Sequence, residues 1–125
     1  MSEIIAIALG GALGALSRFW AVTLTSLWLE DEFPYGILIV NILGSFAIGV
    51  VFVFLVERAI LPIAWRSAVM IGFLGAFTTF STFSLQTIGL LEAGRFLSAS
   101  VYIISSVFIC IMAAALGMFI ARLVP

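Results

Sequence analysis

Polar residues along this chain are so sparse that they punctuate it rather than alternate with apolar ones. Four apolar runs stand out, over about Ile4–Leu27, Pro34–Val56, Ala64–Leu91 and Phe96–Arg122. At a rise of ~1.5 Å per residue each is long enough to cross a hydrocarbon core of about 30 Å. The breaks between them carry the charges and turn formers: Glu30-Asp31-Glu32, then Glu57, Arg58, Pro62 and Arg66, then Gly89, Glu92, Gly94 and Arg95. The pattern predicts an all-α integral membrane protein. Its one domain, residues 1–125, holds four transmembrane helices at about 4–27, 34–56, 64–91 and 96–122.

The third run is unlike the others. Gly72-Phe73-Leu74-Gly75-Ala76-Phe77-Thr78-Thr79-Phe80-Ser81-Thr82-Phe83-Ser84 places five hydroxyl residues between Thr78 and Ser84, inside an apolar segment. Glycines and hydroxyl residues loosen a helix, and side-chain hydroxyls can satisfy the backbone groups that are freed. At membrane depth, irregular backbone survives only where protein or a water-filled cavity covers it. The third helix is therefore expected to be broken and to line an ion path.

Phe80 and Phe83, three apart, are expected to share a helical face. A phenyl ring is negative on its face and positive at its edge. Edges turned into a narrow path would suit a small anion, and faces a cation. Asn41, the one amide of the second run, and the hydroxyls of Ser81 and Thr82 can donate hydrogen bonds in place of lost water. Carbonyls freed near Gly75 and Thr78 suit a hard alkali cation. Ser45 and Gly49 follow Asn41 at four-residue spacing. In the fourth run Tyr102, Ser106, Cys110 and Ala114 are also spaced four apart, a line that begins polar and ends apolar. Gly10 with Gly14, and Gly11 with Ala15, form small-xxx-small pairs that favour close helix approach. Arg18 falls well inside the first run. An arginine there either faces an aqueous cavity or snorkels to the headgroups.

Composition narrows the function. With 65% hydrophobic and 9% charged residues and a mean hydropathy of +1.38, little of the chain remains to build a soluble domain. The charge of −1, from five arginines and six acids, leaves no basic surface for nucleic acid. Without histidine and with Cys110 alone, neither a histidine catalyst nor a zinc site is available, so no enzyme is expected. The first helix lacks the basic start and cleavage signal of a secretory peptide and is expected to remain. Arg58, Arg66 and Arg122 gather on one side, against Arg95 and Arg18 on the other, a weak bias that permits insertion both ways round. Four short helices also struggle to enclose a hydrophilic path alone, so an antiparallel dual-topology homodimer is expected.

Along nearly its whole length the chain resembles the Fluc (CrcB) family of fluoride channels. The matching residues are Gly10, Gly11, Gly14, Ala15, Arg18 and Phe19, then Pro34, Gly36, Asn41, Gly44-Ser45-Phe46 and Gly49, and above all the run from Gly72 to Ser84. The resemblance implies a homodimer in the inner (plasma) membrane. It would export fluoride passively through two antiparallel pathways and so protect the cell from fluoride. It further implies that Phe80 and Phe83 form an aromatic box and that Asn41 hydrogen-bonds fluoride. Ser81, Thr82, Tyr102 and Ser106 would make a polar wall, with Arg18 near a vestibule. The carbonyls of Gly75 and Thr78 from both subunits would hold a central structural sodium ion. Gln86 stands where many members carry glutamate, and Cys110 and Ala114 where serine and threonine are frequent, which shortens the hydroxyl track of the fourth helix. The alternative, a small dual-topology proton-coupled drug exporter, would need a carboxylate at membrane depth. Glu3, Glu57 and Glu92 instead fall at the terminus and loops, and Gln86 is uncharged.

Overall fold

The computed structural model describes residues 2–29 and 32–125; Glu30 and Asp31, two of the three acids of the first loop, lie outside the described residues. Among the described residues, four helical spans cross the molecule, Ser2–Ser26, Tyr35–Glu57, Ile63–Glu92 and Phe96–Leu123. All are apolar enough for a bilayer, and among the described residues there is no strand. The large side chains that point away from the bundle are overwhelmingly aliphatic or aromatic, with Leu27 72% and Leu97 80% exposed. Such a surface is stable only against lipid or another apolar partner.

Small residues decide which spans touch. The second span packs most extensively on the fourth, and the first on the opening half of the third. At the first of these contacts Gly49 meets the backbone of Ala114 and Met118, and Gly117 meets that of Phe46 and Val50. At the other, Gly10 and Gly14 lie on the backbone of Ala68 and Phe73, while Gly72 reciprocates against Ile7 and Gly10. Lipid tails are as apolar as leucine, so close backbone approach of this kind holds membrane helices together through dispersion. The fourth span accordingly carries its buried residues Ala99, Tyr102, Ser106, Gly117 and Ala121 on a narrow seam.

Two stretches are wound wider than an α-helix, Val53–Glu57 and Ala68–Leu74. The second lies where the first span presses its glycines against the third. The third span then resumes α-geometry at Gly75–Phe77 and leaves it altogether at Thr78 and Thr79, whose backbones are extended (φ −82°, ψ 157° and φ −152°, ψ 122°). A new helix starts at Phe80 and runs to Glu92. It stops at Gly94, whose φ of +73° suits a residue without Cβ, with Gly94 N–H on Leu91 O and Arg95 N–H on Leu90 O.

Among the described residues, charge is confined to the two ends and to one interior position. At one end Arg122 meets Glu57 through Nε (3.2 Å) and Nη2 (2.5 Å), while Arg58 stacks on Phe54 and donates to the Ala121 carbonyl (3.1 Å). At the other, Arg95 pairs with Glu32 (3.6 Å). Arg18 is the interior exception.

Candidate functional site

The break in the third span is held open by its neighbours. In an uninterrupted helix the Thr79 N–H would go to the Gly75 carbonyl. Here it goes to Asn41 Oδ1 (2.8 Å), and Asn41 Nδ2 returns a hydrogen bond to the Thr79 carbonyl (3.0 Å). One amide side chain thus imitates a backbone partner and satisfies both polar groups of the residue that leaves the helix. The Thr79 hydroxyl does the rest. It accepts from Thr82 N–H (3.2 Å), the N-cap bond of the new helix, donates to Thr82 Oγ1 (3.1 Å) and lies 3.2 Å from Ser81 Oγ. The Thr78 hydroxyl returns to the Leu74 carbonyl (2.9 Å), and Gly44 leaves room for the Thr78 methyl, which a Cβ at 44 would overlap.

These diversions leave the Gly75 carbonyl without its helical donor and turn the Thr78 carbonyl out of the helix. They also point the positive end of a 13-residue helix at the break. A cleft of about 380 Å³ opens there, lined by Asn41, Ser45, Gly75, Thr78, Phe80, Phe83, Ser106 and Cys110 among others. Beyond it a second cleft of similar size lies between Thr25, Ser26 and Phe33 on one side and Gln86, Leu90 and Arg95 on the other. The buried cluster of Ile37, Phe83, Leu90, Ala99 and Tyr102 lends Phe83 to the first cleft and Ile37 and Leu90 to the second.

Aromatic rings link the residues around these clefts. Phe80 and Phe83 have centroids 5.3 Å apart and are tilted by 50°, Phe83 and Tyr102 are 5.1 Å apart at 60°, and Tyr102 and Phe33 meet edge to face at 5.5 Å. Tilted and edge-on packing sets the positive edge of one ring toward the negative face of the next. The Tyr102 hydroxyl donates to Gln86 Oε1 (2.9 Å). Ser106 Oγ is buried with no hydrogen-bond partner among the described residues, so its hydroxyl is an unspent donor at the cleft wall.

The positions singled out in the sequence fall into distinct groups. Asn41, Gly75, Thr78, Phe80, Phe83 and Ser106 share the cleft at the break. Ser81 and Thr82 sit instead in the hydroxyl cluster that caps the helix. Tyr102 is fully buried behind Phe83, and Arg18 approaches from the first span to donate to the Thr78 carbonyl (3.4 Å). Phe83 is 7% exposed, whereas Phe80 is 75% exposed on this single chain. Thr79 carries the cap and the Asn41 pairing, a role the sequence reading did not give it. The available signal was a threonine immediately ahead of a helical run, with hydroxyls two and three residues on.

A family model described as CrcB-like protein, Camphor Resistance (CrcB), matches residues 5–118. The chain is 47% identical over 120 residues to a protein of Methylococcus capsulatus named fluoride-specific ion channel FluC. That match covers 96% of this chain and 53% of the relative, so the chain spans about half of that protein's length. Proteins of the same name from Magnetococcus marinus and Hahella chejuensis are each 45% identical. They are matched over 94% and 98% of this chain, and over 96% of their own lengths in both cases.

Proposed function

We propose, because this chain belongs to the CrcB family, that it is a passive fluoride channel. It is a multi-pass membrane protein, in a bacterium one of the plasma membrane, and not an enzyme. The observation that carries the reading is the interruption at Thr78–Thr79, pinned by Asn41 beside the Phe80–Phe83 pair.

Fluoride is small and tightly hydrated, so a selective path must replace its water with donors that bind it only weakly enough to let it leave. The cleft offers such groups: the unspent Ser106 hydroxyl, the second Nδ2 hydrogen of Asn41, positive ring edges at Phe80 and Phe83, and the positive end of the Phe80–Glu92 helix. Ser81 and Thr82 complete a hydroxyl wall at the cap, and Tyr102 holds Gln86 at the start of the second cleft. The ion then passes around Phe83 between the two clefts. Larger halides fit poorly against so many closely set rings, whereas fluoride fits between them.

The exposed Phe80 and Gly75 leave the cleft open on one side. A second, antiparallel copy closes it in this reading, giving two pathways per homodimer. The Gly75 and Thr78 carbonyls of both copies would hold a sodium ion between them. The donor set fits that ion on chemical grounds. It consists of neutral carbonyl oxygens at Gly75 and Thr78 released from helical bonding, and among the described residues no group of acidic, histidine or cysteine side chains could hold a metal. Bound there, sodium would supply a positive charge at the break.

Liposomes carrying the purified full chain should release fluoride far faster than chloride. Phe80→Ile, which keeps bulk but removes the ring edge, should slow that release at least tenfold. Equal release of both halides, or none from well-folded protein, would sink the reading.

A further inference from the structure

Arg18 is the one cation placed inside a span rather than at an end, and its partner is unusual. Its Nη1 donates to the Thr78 carbonyl at 3.4 Å, a half-buried contact across 60 residues of chain, and no carboxylate among the described residues pairs with it. The Thr78 carbonyl is one of the two assigned above to sodium. It is free for either cation because the extended backbone at Thr78 and Thr79 takes it out of the helix, while the Thr78 hydroxyl is occupied at Leu74.

We propose that Arg18 is a built-in cation at the break, competing with sodium for the Thr78 carbonyl and so setting how tightly the central ion is held. This rests on the sodium reading above. A carbonyl oxygen has two lone pairs, so a guanidinium and a metal ion can share it in space. They cannot share it without cost, because both are positive. Two unit charges a few ångströms apart, at an effective dielectric constant of about 20, repel by enough to change an affinity more than tenfold. Arg18 thereby does two things. Before assembly it satisfies an exposed carbonyl that lipid could not, and after assembly it keeps the ion exchangeable instead of locking it in. A guanidinium suits the first task, since it is more weakly hydrated than an ammonium and presents several N–H donors.

The test is equilibrium binding of radioactive sodium to the purified full chain, together with the sodium dependence of its thermal midpoint. Neither readout requires fluoride flux. Arg18→Gln keeps an N–H for the carbonyl but removes the charge, and should tighten sodium binding at least tenfold. Arg18→Lys keeps the charge and should stay within about threefold of the wild type. An Arg18→Gln affinity equal to or weaker than that of the wild type would overturn the proposal, and would mean that the guanidinium only orients the carbonyl. Arg18→Met is the second neutral variant. If neither neutral variant folds even in high sodium, Arg18 is an essential tether and the competition idea fails. If the wild type binds no sodium by either readout, the sodium reading falls and the proposal with it, while the fluoride-release test stands separately.

Discussion

Asn41→Leu should abolish fluoride flux through reconstituted protein, and Asn41→Asp should do nearly the same. Asn41 closes a two-bond ring with Thr79, accepting from its N–H at 2.8 Å and donating to its carbonyl at 3.0 Å. Leucine has similar bulk and no polar atom, so both backbone groups would be stranded at membrane depth. A buried group that loses its partner costs about 1–3 kcal/mol, and two of them are enough to depopulate the broken conformation more than tenfold. Aspartate would still accept from the Thr79 N–H. It would also set a carboxylate oxygen against the Thr79 carbonyl and repel an incoming anion. Hydrogen exchange separates this role from simple pore lining. The Thr79 amide should exchange much faster in Asn41→Leu, whereas a variant that only removes a donor from the path would leave it protected. Normal protection of that amide together with lost flux would assign Asn41 to the ion alone.

The sequence made the four spans legible because membrane helices advertise themselves through length and hydropathy, which need no tertiary knowledge. It also located the interruption, since glycines and five hydroxyls within an apolar run are a local signal. What it could not reveal is who holds the break open. Thr79 and Asn41 are 38 residues apart, and nothing in either neighbourhood announces their pairing. By sequence alone Asn41 is a lone polar group suited to donate to the ion; in the structure it is at least as much a substitute for helical hydrogen bonds. Ser81 and Thr82, expected in the polar wall, also take part in the Thr79 cap. For Arg18 the sequence leaves cavity and headgroup both open, and the structure adds a partner that neither reading names, the Thr78 carbonyl. Long-range partnership decides each of these cases, and periodicity carries no information about it. The same holds for Gly49, which follows Asn41 and Ser45 on a four-residue spacing yet packs on the Ala114 backbone.

The glycines of the first span give the sharpest contrast between sites that look alike. Gly14→Val should prevent recovery of folded protein, whereas Gly11→Ala should be tolerated. A Cβ at Gly14 would overlap the Phe73 carbonyl oxygen and come within 2.9 Å of its carbon and 3.0 Å of its Cα. Those are backbone atoms of the third span and have no rotamer to yield. Relief would require the two spans to separate, forfeiting dispersion along the whole seam and shifting the stretch that leads into the break. Overpacking of a well-filled core costs about 1–3 kcal/mol where side chains can move, and more is expected where only backbone is available. At Gly11, one position on, the nearest neighbour of a Cβ is the Gly72 carbonyl oxygen at 3.9 Å, an ordinary contact. Alanine there adds helix propensity without a clash. Thermal unfolding and gel filtration of the two variants in the same detergent provide the comparison. A monodisperse Gly14→Val with a midpoint near that of the wild type would show that the first and third spans are not held by this seam, and that the break owes its position to the second span alone.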